Sequence, residues 1–192
     1  MKKITVATWV TFVRVVLVVP FVALLLAGNR ACMPWALGVF VVASISDAID
    51  GYLARSRGEV SNMGAFLDPL ADKMLVNSAF VCLAVIEAVP AWVPVAFICR
   101  DFAVDGIRMM SAREGKTVSA SILGKLKTVF QMAAIIAILL ERSFVIGIGY
   151  APFDSMVVMW LQMLEMAIVV LAVMMSILSG VEYISKGWKE LF

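Results

Sequence analysis

Apolar residues dominate the chain in six long stretches, interrupted by short polar segments. The stretches run roughly over Ile4 to Ala27, Met33 to Ala54, Met63 to Val89, Ala91 to Ala112, Ser121 to Leu140 and Ser155 to Ser185. Each is long enough for a helix that crosses a bilayer, which needs about 20 residues. Short connections between such helices predict antiparallel neighbours in a bundle. No internal repeat, low-complexity tract or linker divides the sequence, so residues 1–192 read as a single membrane domain.

The polar positions within these stretches are not evenly spread. The charge-free part of the second stretch, Met33 to Ser46, would make about 21 Å of helix, against a hydrocarbon core of about 30 Å. Met74 to Ile86, Ala88 to Cys99 and Thr128 to Leu140 are also too short alone. Each of these helices must continue into its charged residues to cross, and always at the same end. Polar residues at membrane depth face a bundle interior or a watery cavity. The expected fold is therefore an all-α integral membrane protein, a six-transmembrane-helix bundle with a polar cavity open to the cytoplasm. Pro69 fits such a cavity, because a proline inside a helix frees the carbonyl of Ala65; a simple packing kink explains it equally well.

Composition agrees with this class. The 192 residues are 63% hydrophobic and 16% charged, where soluble domains carry about 25% charged residues. A net charge of +2 gives no reason to expect nucleic acid. Cys32, Cys82 and Cys99 are scattered and suggest no disulfide framework. Lys2 and Lys3 precede the first apolar stretch as in a signal peptide, but no convincing cleavage site follows. It reads as a retained first helix.

Lysine and arginine set the orientation. With six spans both termini share a side, and on that side fall Lys2, Lys3, Arg55, Arg57, Lys73, Arg108, Arg113, Lys116, Lys125, Lys127, Lys186 and Lys189. Arg30 and Arg142 lie opposite. The positive-inside rule places both termini and the polar ends in the cytoplasm.

Four aspartates gather at those polar ends. Asp47 and Asp50 are three apart, and Gly51 and Ala54 continue their helical face; Gly64, Asp68 and Asp72 repeat at intervals of four. If the second and third helices are antiparallel neighbours, both pairs can point into one cleft, its mouth left open by Gly51, Ala54 and Gly64. Four ionised carboxylates would repel strongly at low dielectric unless cations sit among them. Hard oxygen ligands favour Mg, Mn or Ca, and with no histidine in the chain and three scattered cysteines a Cys/His zinc site is not expected. The plainer alternative is helix capping, with pairing to Arg55 and Lys73.

A second polar patch follows. Asp101, Asp105 and Arg108 share a face of the fourth helix, beside Arg100, and Arg113, Lys116, Gly124, Lys125, Lys127 and Thr128 come next. Cations near an acidic metal cleft suggest an anionic substrate, arginine gripping phosphate with its fork and lysine as a point charge. Topology alone also makes such segments basic. Lys125 and Lys127 point in nearly opposite directions on a helix. Lys125, with Thr128 on its face, is expected in the site and Lys127 is expected to snorkel to lipid headgroups. Arg14 in the first stretch and Glu165 in the sixth have no partner evident from sequence.

Asp47-x-x-Asp50-Gly51-x-x-Ala54-Arg55, eight residues, then Gly64-x-x-x-Asp68-x-x-x-Asp72 resembles the full signature of the CDP-alcohol phosphotransferases. The string Gly64-Ala65-Phe66-Leu67-Asp68-Pro69-Leu70-Ala71-Asp72-Lys73 is similar to the bacterial branch that makes phosphatidylglycerophosphate. So are Arg100-Asp101-Phe102 with Arg108, Gly124-Lys125-x-Lys127-Thr128, and Thr11-x-x-Arg14. Departures at Ala7 and Thr8, after Arg100 and near Asp105 bear on which acceptor is used. The resemblance implies a homodimer in the bacterial inner membrane that takes CDP-diacylglycerol and glycerol 3-phosphate. It implies that Asp47, Asp50, Asp68 and Asp72 hold two Mg or Mn ions and that Asp72 is the general base. Gly51, Ala54, Arg55 and Gly64 would seat the CDP, and Arg100, Arg108 and Lys125 the acceptor phosphate. Sister enzymes with another acceptor (phosphatidylglycerol, inositol phosphate or serine), a divalent-cation transporter and a diphosphate-binding prenyltransferase are the alternatives.

Overall fold

The computed structural model describes residues 6–57, 62–113, 122–143 and 155–191, with side chains over 12–29, 31–46, 71, 73–111, 122–143 and 156–186. Among the described residues it is all-helical. Six helices follow in order: α1 (Val6–Leu26), α2 (Met33–Arg57), α3 (Asn62–Val85), α4 (Trp92–Arg113), α5 (Ile122–Glu141) and α6 (Ser155–Leu191). Each coincides with one of the apolar stretches.

The ends have local causes. After α1 the chain turns through Gly28 at φ 64°, a left-handed conformation that costs glycine nothing. The Asn29 side-chain oxygen then accepts the Ala31 N–H at 3.0 Å, opening a single 3-10 turn over Arg30–Cys32 that leads into α2. Helix α3 stops at Val85, four residues before its apolar stretch ends. There the Ala88 N–H reaches back to the Leu83 carbonyl (2.8 Å) and the Glu87 N–H to that of Ala84 (3.1 Å). Glu87 itself sits at φ 56°. This is the Schellman arrangement, with glutamate at the position glycine normally takes. Helix α6 instead outruns its apolar stretch by two turns, and Lys186 pairs with Glu182 one turn back (2.6 Å) where hydropathy fades.

The helices close a circuit. Helix α1 packs on both α2 and α3, α3 on α4, α4 on α6, α6 on α5, and α5 back on α2; α5 also touches α3. Phe21, Leu25, Phe40, Leu75, Phe80, Leu83, Phe97, Ile135, Ile138 and Val173 form one core. Ala36, Ala43, Ala79, Ala134 and Ala172 are fully buried between them, small side chains that let membrane helices approach closely. Phe21 stacks obliquely on Phe40 at 5.6 Å, and Phe80 on Phe97 at 4.7 Å, within the range favoured by aromatic pairs.

The surface reverses the usual soluble pattern. Large apolar side chains such as Phe102, Trp35, Val19, Met163 and Trp160 are exposed, while Arg14, Asp101, Lys127, Gln131 and Glu141 are buried. An apolar exterior of this extent marks contact with lipid or protein. Helix α5 and residues Met156–Lys186 of α6 are each long and apolar enough to cross a membrane.

Candidate active site

Three helices supply a polar cavity of about 230 Å³, with α3 closing one side. From α4 come Arg100, Asp101, Asp105 and Arg108, on successive turns of one face. From α5 come Gly124, Lys125, Lys127, Thr128 and Gln131, and from α6 comes Tyr183. Helix α3 contributes Lys73 and Val76. The residues expected to bind the acceptor phosphate, Arg100, Arg108 and Lys125, thus line one space. Five cationic side chains face it against two carboxylates, a formal excess of three positive charges.

Asp101 organises the buried end. Its Oδ1 accepts from Lys127 Nζ at 2.5 Å and from Arg100 Nη1 at 3.1 Å. Arg100 reaches across to α6, where Nη2 donates to Ser179 Oγ at 2.7 Å. Ser179 in turn donates to the Ser176 carbonyl at 3.0 Å. Gly180 gives this crossing room, since a Cβ there would lie 3.0 Å from Arg100 Cγ and the arginine would have to shift by a few tenths of an ångström. Nearer the entrance, Arg108 packs over the Tyr183 ring, 5.6 Å from its centroid, and its Nε donates weakly to the phenol oxygen at 3.4 Å. Lys73 pairs with Asp105, closing α3 onto α4.

Lys127 corrects the sequence reading. It is not a snorkelling lysine: its side chain is buried and bonded to Asp101. Residues on a helix turn by about 100° each, so the α5 face lining the cavity centres on Gly124, Thr128 and Gln131, with Lys125 and Lys127 flanking it on opposite edges. Both lysines therefore reach one space, Lys125 exposed and Lys127 buried. The i, i+4 spacing of Lys127 and Gln131 was the available signal. Ser179 and Tyr183 lie on α6 among apolar neighbours, and only the packing of α4 on α6 picks them out.

The backbone carries Asp47, Asp50, Gly51, Ala54 and Arg55 on α2 and Gly64, Asp68 and Asp72 on α3. Their side chains lie outside the described residues. Lys73, the next residue after Asp72, lines the cavity, and α5 packs on both aspartate-bearing helices. The acidic residues expected to hold metal are all aspartates in a chain without histidine, a chemistry that suits a hard divalent ion.

Comparison with known proteins extends this picture. The family described as CDP-alcohol phosphatidyltransferase matches residues 4–178. A Bacillus subtilis protein named CDP-diacylglycerol–glycerol-3-phosphate 3-phosphatidyltransferase is 40% identical over 153 residues, 80% of this chain and 73% of its own length. A Mycobacterium tuberculosis protein named probable phosphatidylglycerophosphate synthase is 31% identical over 188 residues, covering 96% and 82%. A Yersinia enterocolitica protein with the same name as the Bacillus one is 32% identical over 196 residues, covering 98% of each chain.

Proposed function

The chain belongs to the CDP-alcohol phosphatidyltransferase family, and from that premise we propose that it transfers the phosphatidyl group of CDP-diacylglycerol to glycerol 3-phosphate. The products are phosphatidylglycerophosphate and CMP. The observation that carries this reading is the cationic cavity abutting the turn after Asp72: a small phosphorylated alcohol fits its size and charge, and the relatives' names specify that acceptor.

The protein works as a six-span bundle in the bacterial inner membrane, as a homodimer, with the cavity and both termini on the cytoplasmic side. The excess of cytoplasmic lysine and arginine supports that orientation. Arg100, Arg108 and Lys125 hold the phosphate of glycerol 3-phosphate, and Gly51, Ala54, Arg55 and Gly64 seat the cytidine diphosphate. Asp47, Asp50, Asp68 and Asp72 would hold two Mg or Mn ions, in keeping with the family's general use of a divalent metal. When bound, the metal neutralises charge that develops on the departing CMP.

The primary hydroxyl of glycerol 3-phosphate loses its proton to the Asp72 carboxylate as its oxygen attacks the lipid-side phosphorus. A new P–O bond to glycerol forms in line as the bond to CMP breaks. Catalysis rests on placement and on a fixed cationic environment. Asp101 keeps Arg100 and Lys127 in position before substrate arrives, and Tyr183 does the same for Arg108.

Purified protein with CDP-diacylglycerol and Mg, offered glycerol 3-phosphate, phosphatidylglycerol, inositol phosphate and serine in parallel, tests the acceptor. Glycerol 3-phosphate is expected to give the fastest product formation. Preferential use of another acceptor would reject this assignment while retaining the reaction class.

A further inference from the structure

We infer that Gln131 is a specificity-determining contact for the acceptor, its side-chain amide donating a hydrogen bond to a phosphate oxygen at the cavity floor. This rests on the acceptor reading above. Gln131 lines the cavity yet is only 2% exposed, and its Nε2 has no hydrogen-bond partner. A buried donor left unsatisfied is costly, and nothing in helix packing requires glutamine here. The next inward residues of the same α5 face, Ala134, Ile135 and Ile138, are apolar and fully packed. Gln131 is therefore the last polar side chain before the dry core.

Its neighbours indicate the ligand. Lys127 sits one turn nearer the entrance, and Arg100, facing the same space from α4, also has a buried Nε without a partner. Two unused N–H donors beside a cationic excess suit an anionic oxygen. A neutral amide can supply the deepest donor where a further buried cation would cost more. The phosphate could belong to the acceptor or to the CDP-lipid. The acceptor is favoured because the cavity is small and its other donors, Lys125 and Arg108, are the acceptor's.

The test uses full-length protein in micelles with Gln131→Met, similar in length and without the donor, and Gln131→Glu, which turns an acceptor oxygen toward the phosphate. Gln131→Met should raise the KM for glycerol 3-phosphate by at least about tenfold, the loss of one hydrogen bond to a charged group. The KM for CDP-diacylglycerol should change less than about twofold. Gln131→Glu should raise the KM for glycerol 3-phosphate further, by about 100-fold, because like charges then meet. Without substrate, Gln131→Met should melt no lower than wild type, since an orphan donor is removed. The rise in Tm produced by glycerol 3-phosphate or inorganic phosphate should shrink. An unchanged KM for glycerol 3-phosphate with an undiminished thermal shift in both variants would overturn the inference, as would equal increases in both KM values. If wild type forms no phosphatidylglycerophosphate, the acceptor reading fails by itself. The thermal shift with inorganic phosphate then still decides whether Gln131 binds a phosphate.

Discussion

Removing the carboxylate of Asp101 is the most informative single perturbation of the cavity wall. Its side chain is 8% exposed, that of Lys127 6% and that of Arg100 15%, so three charges share a largely dry space. Asp101→Ala leaves two cations facing each other without their counterion. Breaking a buried pair by removing one partner costs about 3–5 kcal/mol. For a chain of this size about 1 kcal/mol moves Tm by 2–4 °C, so Asp101→Ala should lower it by roughly 10 °C. Lys127→Met should cost less, because Arg100 still neutralises Asp101. The double variant Asp101→Ala/Lys127→Met should lose less than the sum of the singles, because each single leaves the other partner of a buried ion pair behind. Thermal unfolding in detergent, followed by tryptophan fluorescence, reads all three against the exposed Lys125→Ala. If Asp101→Ala melts within about 0.5 kcal/mol of Lys125→Ala, the ordinary scatter of surface substitutions, Asp101 is not the electrostatic keystone of this wall. Strict additivity in the double variant would refute direct coupling to Lys127.

Three further outcomes are expected, two from the geometry of Gly180 and Glu87 and one from the base role proposed for Asp72. Gly180→Ala should push Arg100 aside, given the 3.0 Å approach to its Cγ, and raise the KM for glycerol 3-phosphate about tenfold, equivalent to about 1.4 kcal/mol; an unchanged KM would show that Arg100 relaxes freely. Glu87→Gly should raise Tm by about 1–3 °C, because the left-handed backbone penalty of about 1–2 kcal/mol exceeds the entropic cost of glycine, about 0.5–1 kcal/mol. Glu87→Val should lower Tm, and the reverse order would contradict the Schellman assignment. Asp72→Asn should reduce turnover by at least about 100-fold while Mn binding, followed by electron paramagnetic resonance, persists; retained turnover would remove the base assignment.

Much of the architecture is legible in one dimension because hydrophobic runs of bilayer length leave few choices. All six runs became helices, and their errors have local causes. The early stop of α3 depends on the backbone hydrogen bonds from Glu87 to Ala84 and from Ala88 to Leu83, which hydropathy does not register. The overrun of α6 into Lys186 reflects helix propensity persisting after apolarity ends. The aspartate signature could be read from spacing, since periods of three and four place side chains on one helical face. The buried lysine left only a faint mark, the i, i+4 spacing of Lys127 to Gln131, because which of Lys125 and Lys127 is buried depends on where Asp101 of α4 lies relative to α5. Arg100 looked from sequence like a free phosphate ligand. Packing shows it already engaged with Asp101 and Ser179 through its two terminal nitrogens, with Nε the one guanidinium nitrogen that has no partner. That engagement between helices is a property of the closed circuit and has no local sequence mark.

The decisive measurement is product stoichiometry from purified protein reconstituted with CDP-diacylglycerol, glycerol 3-phosphate and Mg, with CMP and lipid quantified together by mass spectrometry. The account requires CMP and phosphatidylglycerophosphate in equal amounts, and neither when the metal is chelated. Release of pyrophosphate, or formation of CMP with no phosphorylated glycerolipid, would contradict it.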